Sequence, residues 1–72
     1  MSTHAGRLVA ALFDDDPDAF ELVIEQAAGY ADGDVAYVVQ DAYDRLHGHP
    51  DELGLLLEWL GPDRARFYGV RP

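Results

Sequence analysis

Four punctuation marks constrain this chain more than anything else in it: Asp16-Pro17-Asp18, Asp32-Gly33-Asp34, Gly48-His49-Pro50-Asp51 and Gly61-Pro62. Proline has a fixed φ and no amide hydrogen, so it is tolerated where a helix begins and breaks one in its interior. Asp beside it caps the amides that the first turn leaves unpaired. Between the marks, apolar residues recur at i, i+3 and i+4, the period of a helix packed on one side. The marks therefore predict a chain of short helices.

Ser2 or Thr3 caps a first helix through about Phe13, with Leu8, Val9, Leu12 and Phe13 facing inward. Asp16 caps a second, with Pro17 at its first position and Asp18 at the positive end of its dipole. Phe20, Val23, Ile24, Ala27 and Ala28 form the buried side of that helix, and Gly29 ends it. The third starts from Asp32-Gly33-Asp34 and turns Val35, Val38, Val39, Ala42, Tyr43 and Leu46 to one side. Its valines favour a strand, but the run lacks a period of two. The fourth runs from about Pro50 to Leu60, where Gly61-Pro62 breaks it. Beyond lies Arg64 to Arg71, which has no helical period. Phe67-Tyr68 followed by Val70 reads there as a short strand or an extended arm. The expected fold is all-α: a small bundle of four short helices over residues 1–62, with an extended basic and aromatic C-terminal arm over 63–72.

At 72 residues such a chain buries only about 60% of its unfolded surface, so its core is marginal. Cysteine is absent, which removes disulfides and thiolate metal sites as a staple. Self-association is the expected substitute. Fourteen acidic residues face five arginines and no lysine, for a net charge of −9. That balance excludes direct binding to nucleic-acid phosphates and to anionic membranes, both of which need cationic side chains. It points instead to a partner protein with a basic surface. No apolar run approaches a membrane span, and the segment before Asp14 has the wrong flanking charge for a cleaved signal, so a cytoplasmic location is expected. The absence of Lys and Asn, a single Ile and the abundant Ala, Gly, Asp and Arg fit a high-GC bacterium or its phage.

Charge is unevenly placed. Residues 63–72 hold one Asp and three Arg, a net of +2, whereas residues 1–62 carry −11. In the second helix Asp18, Glu21 and Glu25 fall in one outward stripe. Asp34, Asp41 and Asp44 do the same in the third, with Tyr37 among them and Arg45 relieving only Asp41. Asp14 and Asp15 stand at the negative end of the first helix, where cations are preferred. They await either a tail arginine (Arg64, Arg66 or Arg71) or a basic partner. In the fourth helix Leu53, Leu56, Leu57 and Leu60 cover one side, and Leu55 with Trp59 the neighbouring one. That arc of about 200° is wider than a one-sided helix needs. The helix is either enclosed by the others or exposes a second apolar face through Leu55 and Trp59.

Chemistry has few candidates. Asp14, Asp16, Asp18 and Glu25 match the first, third, fifth and twelfth positions of an EF-hand loop. Ala19, however, stands where that loop needs Gly, and Pro17 lies inside it. His47 and His49, near Asp44 and Asp51, are nitrogen and oxygen donors around a helix end, with no third His nearby and no Cys. Ser2 and Thr3 are the only aliphatic hydroxyls, so no nucleophilic serine lies within the fold. In size, acidity and helix number the chain resembles acyl carrier proteins. Those attach their prosthetic group to a Ser at a helix start, whereas here the helix starts read Asp-Pro-Asp and Asp-Gly-Asp.

The sequence therefore reads as a non-enzymatic, acidic adaptor or regulator, without cofactor or metal, that binds another protein and forms homo-oligomers. Leu55, Trp59, Phe67 and Tyr68 are its expected apolar anchors. The acidic stripes would govern partner choice and encounter rate. The first alternative resembles the DNA-mimic inhibitors of phages, with Asp14, Asp15, Asp18, Glu21, Glu25, Asp41 and Asp44 standing in for phosphates. The second is a structural or accessory subunit of a larger assembly.

Overall fold

A computed structural model describes residues 3–29 and 35–70. Its elements are α1 (Thr3–Phe13), α2 (Pro17–Ala28), α3 (Val35–Arg45) and α4 (Pro50–Phe67). Among the described residues there is no strand, and no helix is long and apolar enough to cross a membrane. The all-α architecture of four helices is that expected from the punctuation. The Asp32-Gly33-Asp34 turn, with Asp34 of the third-helix stripe, lies outside the described residues, as does Arg71.

Each helix contributes a row of side chains at helical spacing to one core. Ala5, Leu8, Ala11 and Leu12 come from α1, and Phe20, Val23, Ile24 and Ala27 from α2. Val38, Val39 and Ala42 of α3 and Leu46 just after it meet Leu56, Leu60 and Ala65 of α4, and Val70 closes the set. The small residues Ala5 and Ala11 let α1 approach its neighbours closely, and α1 packs against all three other helices. The central position, expected as one option for the fourth helix, thus belongs to the first, although Arg7, Ala10 and Phe13 on it remain exposed. Phe13, expected inside, lies off the Ala5–Leu8–Leu12 row. It is about half exposed, with its ring edge against His49 at 5.2 Å between centroids. The radius of gyration, 10.8 Å, is close to the roughly 11 Å of a compact chain of this length.

The helix ends follow elementary capping rules. Asp16 accepts a hydrogen bond from the Ala19 amide at 3.1 Å, and Pro17 opens α2. At the end of α1, the Asp16 amide donates to the Ala11 carbonyl (3.0 Å) and the Asp15 amide to that of Leu12 (3.2 Å). This is a Schellman closure. Its left-handed residue is Asp15, at φ 54°, a conformation that Asp adopts more readily than most residues other than Gly. Asp15 thus has a local structural role that the charge layout alone does not suggest.

The chain beyond Gly61 departs from expectation. Helical structure resumes and continues to Phe67, in place of the extended segment foreseen there. Gly61 takes φ 79° and ψ 163°, a conformation essentially reserved for glycine, and this kinks α4. Pro62 then begins a new turn, as Pro17 and Pro50 do. Gly69, at φ 79°, closes a second Schellman motif: the Val70 amide donates to the Ala65 carbonyl at 3.0 Å and the Gly69 amide to that of Arg66 at 3.2 Å. Val70 and Ala65, the apolar pair such a motif brings together, are both buried. The Gln40 side-chain amide donates to the Tyr68 carbonyl at 2.7 Å, tying this end to α3. The aromatic tail is thereby folded onto the body.

Candidate protein-binding surface

Of the four expected anchors, three are half-buried against the core and one, Phe67, stands in solvent. Leu55 and Trp59 are half-buried and packed on the core, the indole meeting the Phe20 ring edge-on at 5.3 Å. With Leu53 and Leu57, also half-buried, they leave the outer side of α4 partly open. Tyr68 is half-buried and its ring meets that of Phe67 at 5.5 Å. Phe67 itself is 83% exposed, the most exposed large apolar side chain described. Tyr37, on α3, is also largely exposed.

The kink creates a feature that the sequence reading missed. Leu57, Pro62, Ala65 and Val70 line a groove of about 590 Å³, with Glu58, Arg66 and Gly69 completing its wall. That volume lies within the usual range for ligand and partner sites. Gly61-Pro62 signals a bend, but only the continuation of helix beyond it creates a concave wall. A smaller depression of about 220 Å³ lies between α1 and α2, lined in part by Arg7, Asp14 and Leu22.

The carboxylates divide into committed and uncommitted sets. Arg64 reaches back from the tail, but to Glu21 rather than to Asp14 or Asp15, in a two-pronged pair of 2.9 and 2.8 Å. The same guanidinium donates to the carbonyls of Leu60 (2.8 Å) and Trp59 (2.6 Å), just before the break at Gly61. Arg64 thereby caps one half of α4 while clamping α2. Hydrogen bonding from Arg64 holds the Glu21 carboxyl below its ordinary range, and Glu21 raises the Arg64 pKa in return. Asp41 pairs with Arg45 at 3.3 Å along α3. Asp14, Asp15, Asp18, Glu25 and Asp44 are exposed and make no ion pair among the described residues.

His47 and His49 are exposed at the α3–α4 junction. Among the described residues no group of three His, Cys, Asp or Glu is placed to hold a metal ion. Compared with known proteins, the chain matches no family model, no curated protein and no solved structure.

Proposed function

We propose that this protein works by association: a small acidic adaptor or regulator that binds a protein with a basic surface. One observation carries the reading. The core closes on itself, yet the outer side of α4 keeps its leucines and indole only half-covered and presents Phe67 to solvent. Trp, Tyr and other large apolar groups on a surface are the usual centres of binding energy. Leu55, Trp59, Phe67 and Tyr68 supply the apolar contacts. Asp14, Asp15, Asp18, Glu25 and Asp44 steer the approach and select for positive charge, and Tyr37 on α3 adds an exposed ring.

The test compares host proteins retained by the wild-type chain and by one carrying Asp14→Asn, Asp18→Asn and Glu25→Gln. A partner held by the first and lost by the second, and released as salt rises, is the expected result. Identical retention by both chains overturns the reading.

The nucleic-acid-mimic reading stays second, favoured by the same five exposed carboxylates. Glu21 and Asp41, two of its seven phosphate substitutes, are already engaged by arginine. A retained partner that nucleic acid displaces would move this reading to first place.

A further inference from the structure

Resting on the association reading above, we infer that the basic partner docks on the hairpin of α1 and α2 as a cationic amphipathic helix. It seats one large apolar side chain beside Leu22 and turns Lys or Arg toward Asp14, Asp18 and Glu25.

The hollow comes first. Helices α1 and α2 are joined by the short link Asp14–Asp16, and the depression of about 220 Å³ lies between them. Ala10, Ala11 and Ala19 give it a shallow apolar floor, because alanine fills little of the space between two helix ridges. Leu22 stands at its edge, 49% exposed and outside the core. A volume of 220 Å³ falls below the roughly 300–1,000 Å³ of small-molecule sites. It suits a side chain delivered by a larger partner. The space between two helix ridges is the shape that a third helix packs into.

Charge names the occupant. A single exposed leucine is ordinary, but this one adjoins a hollow and is surrounded by carboxylates. Asp18 precedes Leu22 by four residues and Glu25 follows it by three, so both are its neighbours on the surface of α2. Asp14 lines the hollow itself. All three are exposed and make no ion pair among the described residues, whereas Glu21 is taken by Arg64 of α4. Arg7 is the one base lining the hollow, and the three acids outnumber it. The larger groove of α4 offers no such preference, since its Glu58 and Arg66 cancel. An apolar centre within a negative rim selects an apolar residue flanked by cations.

A blocked Ala–Lys peptide of about 15 residues, long enough to be helical, probes the full chain at about 0.15 M salt. One version carries a central Leu and its twin has Ala there. Amide chemical shifts should move at Ala10, Ala19 and Leu22 rather than at Leu57, Ala65 and Val70 of the α4 groove. The Leu peptide should bind about fivefold more tightly than its twin. Leu22→Gln, an exposed helical position where Gln keeps charge and propensity, should abolish that preference. Ala10→Gln, which fills the hollow from the other helix, should do the same. Arg7→Gln should tighten binding of both peptides severalfold. Equal affinity of the two peptides for the wild-type chain overturns the inference. So do shifts centred on the α4 groove, or a preference for Leu that survives Leu22→Gln. The two readings fail separately. A host partner that salt releases, but that Leu22→Gln and Ala10→Gln still bind, leaves the association reading standing without this site. A preference for Leu at the hairpin of a chain that retains no host partner does the reverse.

Discussion

Asp15 shows how one residue can look functional in a list of charges and structural in space. It occupies the left-handed position of the α1 closure, at φ 54°, where its Cβ is strained and its charge faces the negative end of a helix dipole. Asp15→Gly removes both penalties and should stabilise the fold by about 1 kcal/mol. In a domain of this size that is a rise in Tm of about 4–8 °C. A fall in Tm would mean that the carboxylate has a partner worth more than the strain. Two glycines within α4 make a sharper comparison, because a Cβ at Gly54 or at Gly61 would meet nothing within 4 Å. Space being equal, backbone conformation alone decides the sign. Gly54→Ala should gain about 0.5–1 kcal/mol by limiting the unfolded chain. Gly61→Ala should lose about 1–3 kcal/mol, since φ 79° and ψ 163° are closed to side chains. Opposite shifts in the denaturant midpoint at constant m would bear this out.

At the scale of elements, most of the helix boundaries were legible because one local grammar repeats. Asp16-Pro17-Asp18 and His49-Pro50-Asp51 both read as starts, and α2 and α4 begin at those prolines. Gly61-Pro62-Asp63 has the same form but reads as a stop, because the stretch after it offers too few apolar residues to show a period. Only packing reveals Ala65 and Val70 as core. Likewise the destination of Arg64 depends on a kink whose direction no spacing encodes, so the charge layout pointed it to Asp14 and Asp15, and Glu21 is visible as its partner only in the structure. That arginine makes a distinct prediction. Arg64→Ala removes the part-buried hydrogen bonds to the Trp59 and Leu60 carbonyls as well as the pair with Glu21, and should cost about 1–3 kcal/mol. Glu21→Gln loses only a solvent-screened pair, its side chain being 51% exposed, and should cost less than about 1 kcal/mol. The pH dependence has a definite sign. Arg64 holds the folded Glu21 pKa below the ordinary 4.5. The pair's contribution is therefore present above 4.5 and disappears as pH falls through the folded value. Wild type and Glu21→Gln should differ at neutral pH and converge in acid, which paired denaturation curves would show.

Across the whole molecule, the dominant long-range force is repulsion. A charge of −9 is confined within a radius of gyration of 10.8 Å, a distance comparable to the Debye length at about 0.1 M salt. Most exposed carboxylates therefore sense one another in the folded state and spread apart on unfolding. Against this stand two ion pairs among the described residues, Arg64–Glu21 and Arg45–Asp41, both solvent-facing. Salt weakens both effects, but the repulsive set is larger, and each exposed pair is worth only about 0.2–1 kcal/mol. Screening should therefore stabilise the monomer: Tm at a concentration too low for association should rise between about 0.01 and 1 M sodium chloride. Sulfate would also strengthen apolar burial, so a chloride series is needed to isolate the charge effect. A falling Tm would mean that the two arginine pairs outweigh the exposed acids. The carboxylates would then be arranged for the stability of this chain, which would remove the main reason for assigning them to a basic partner.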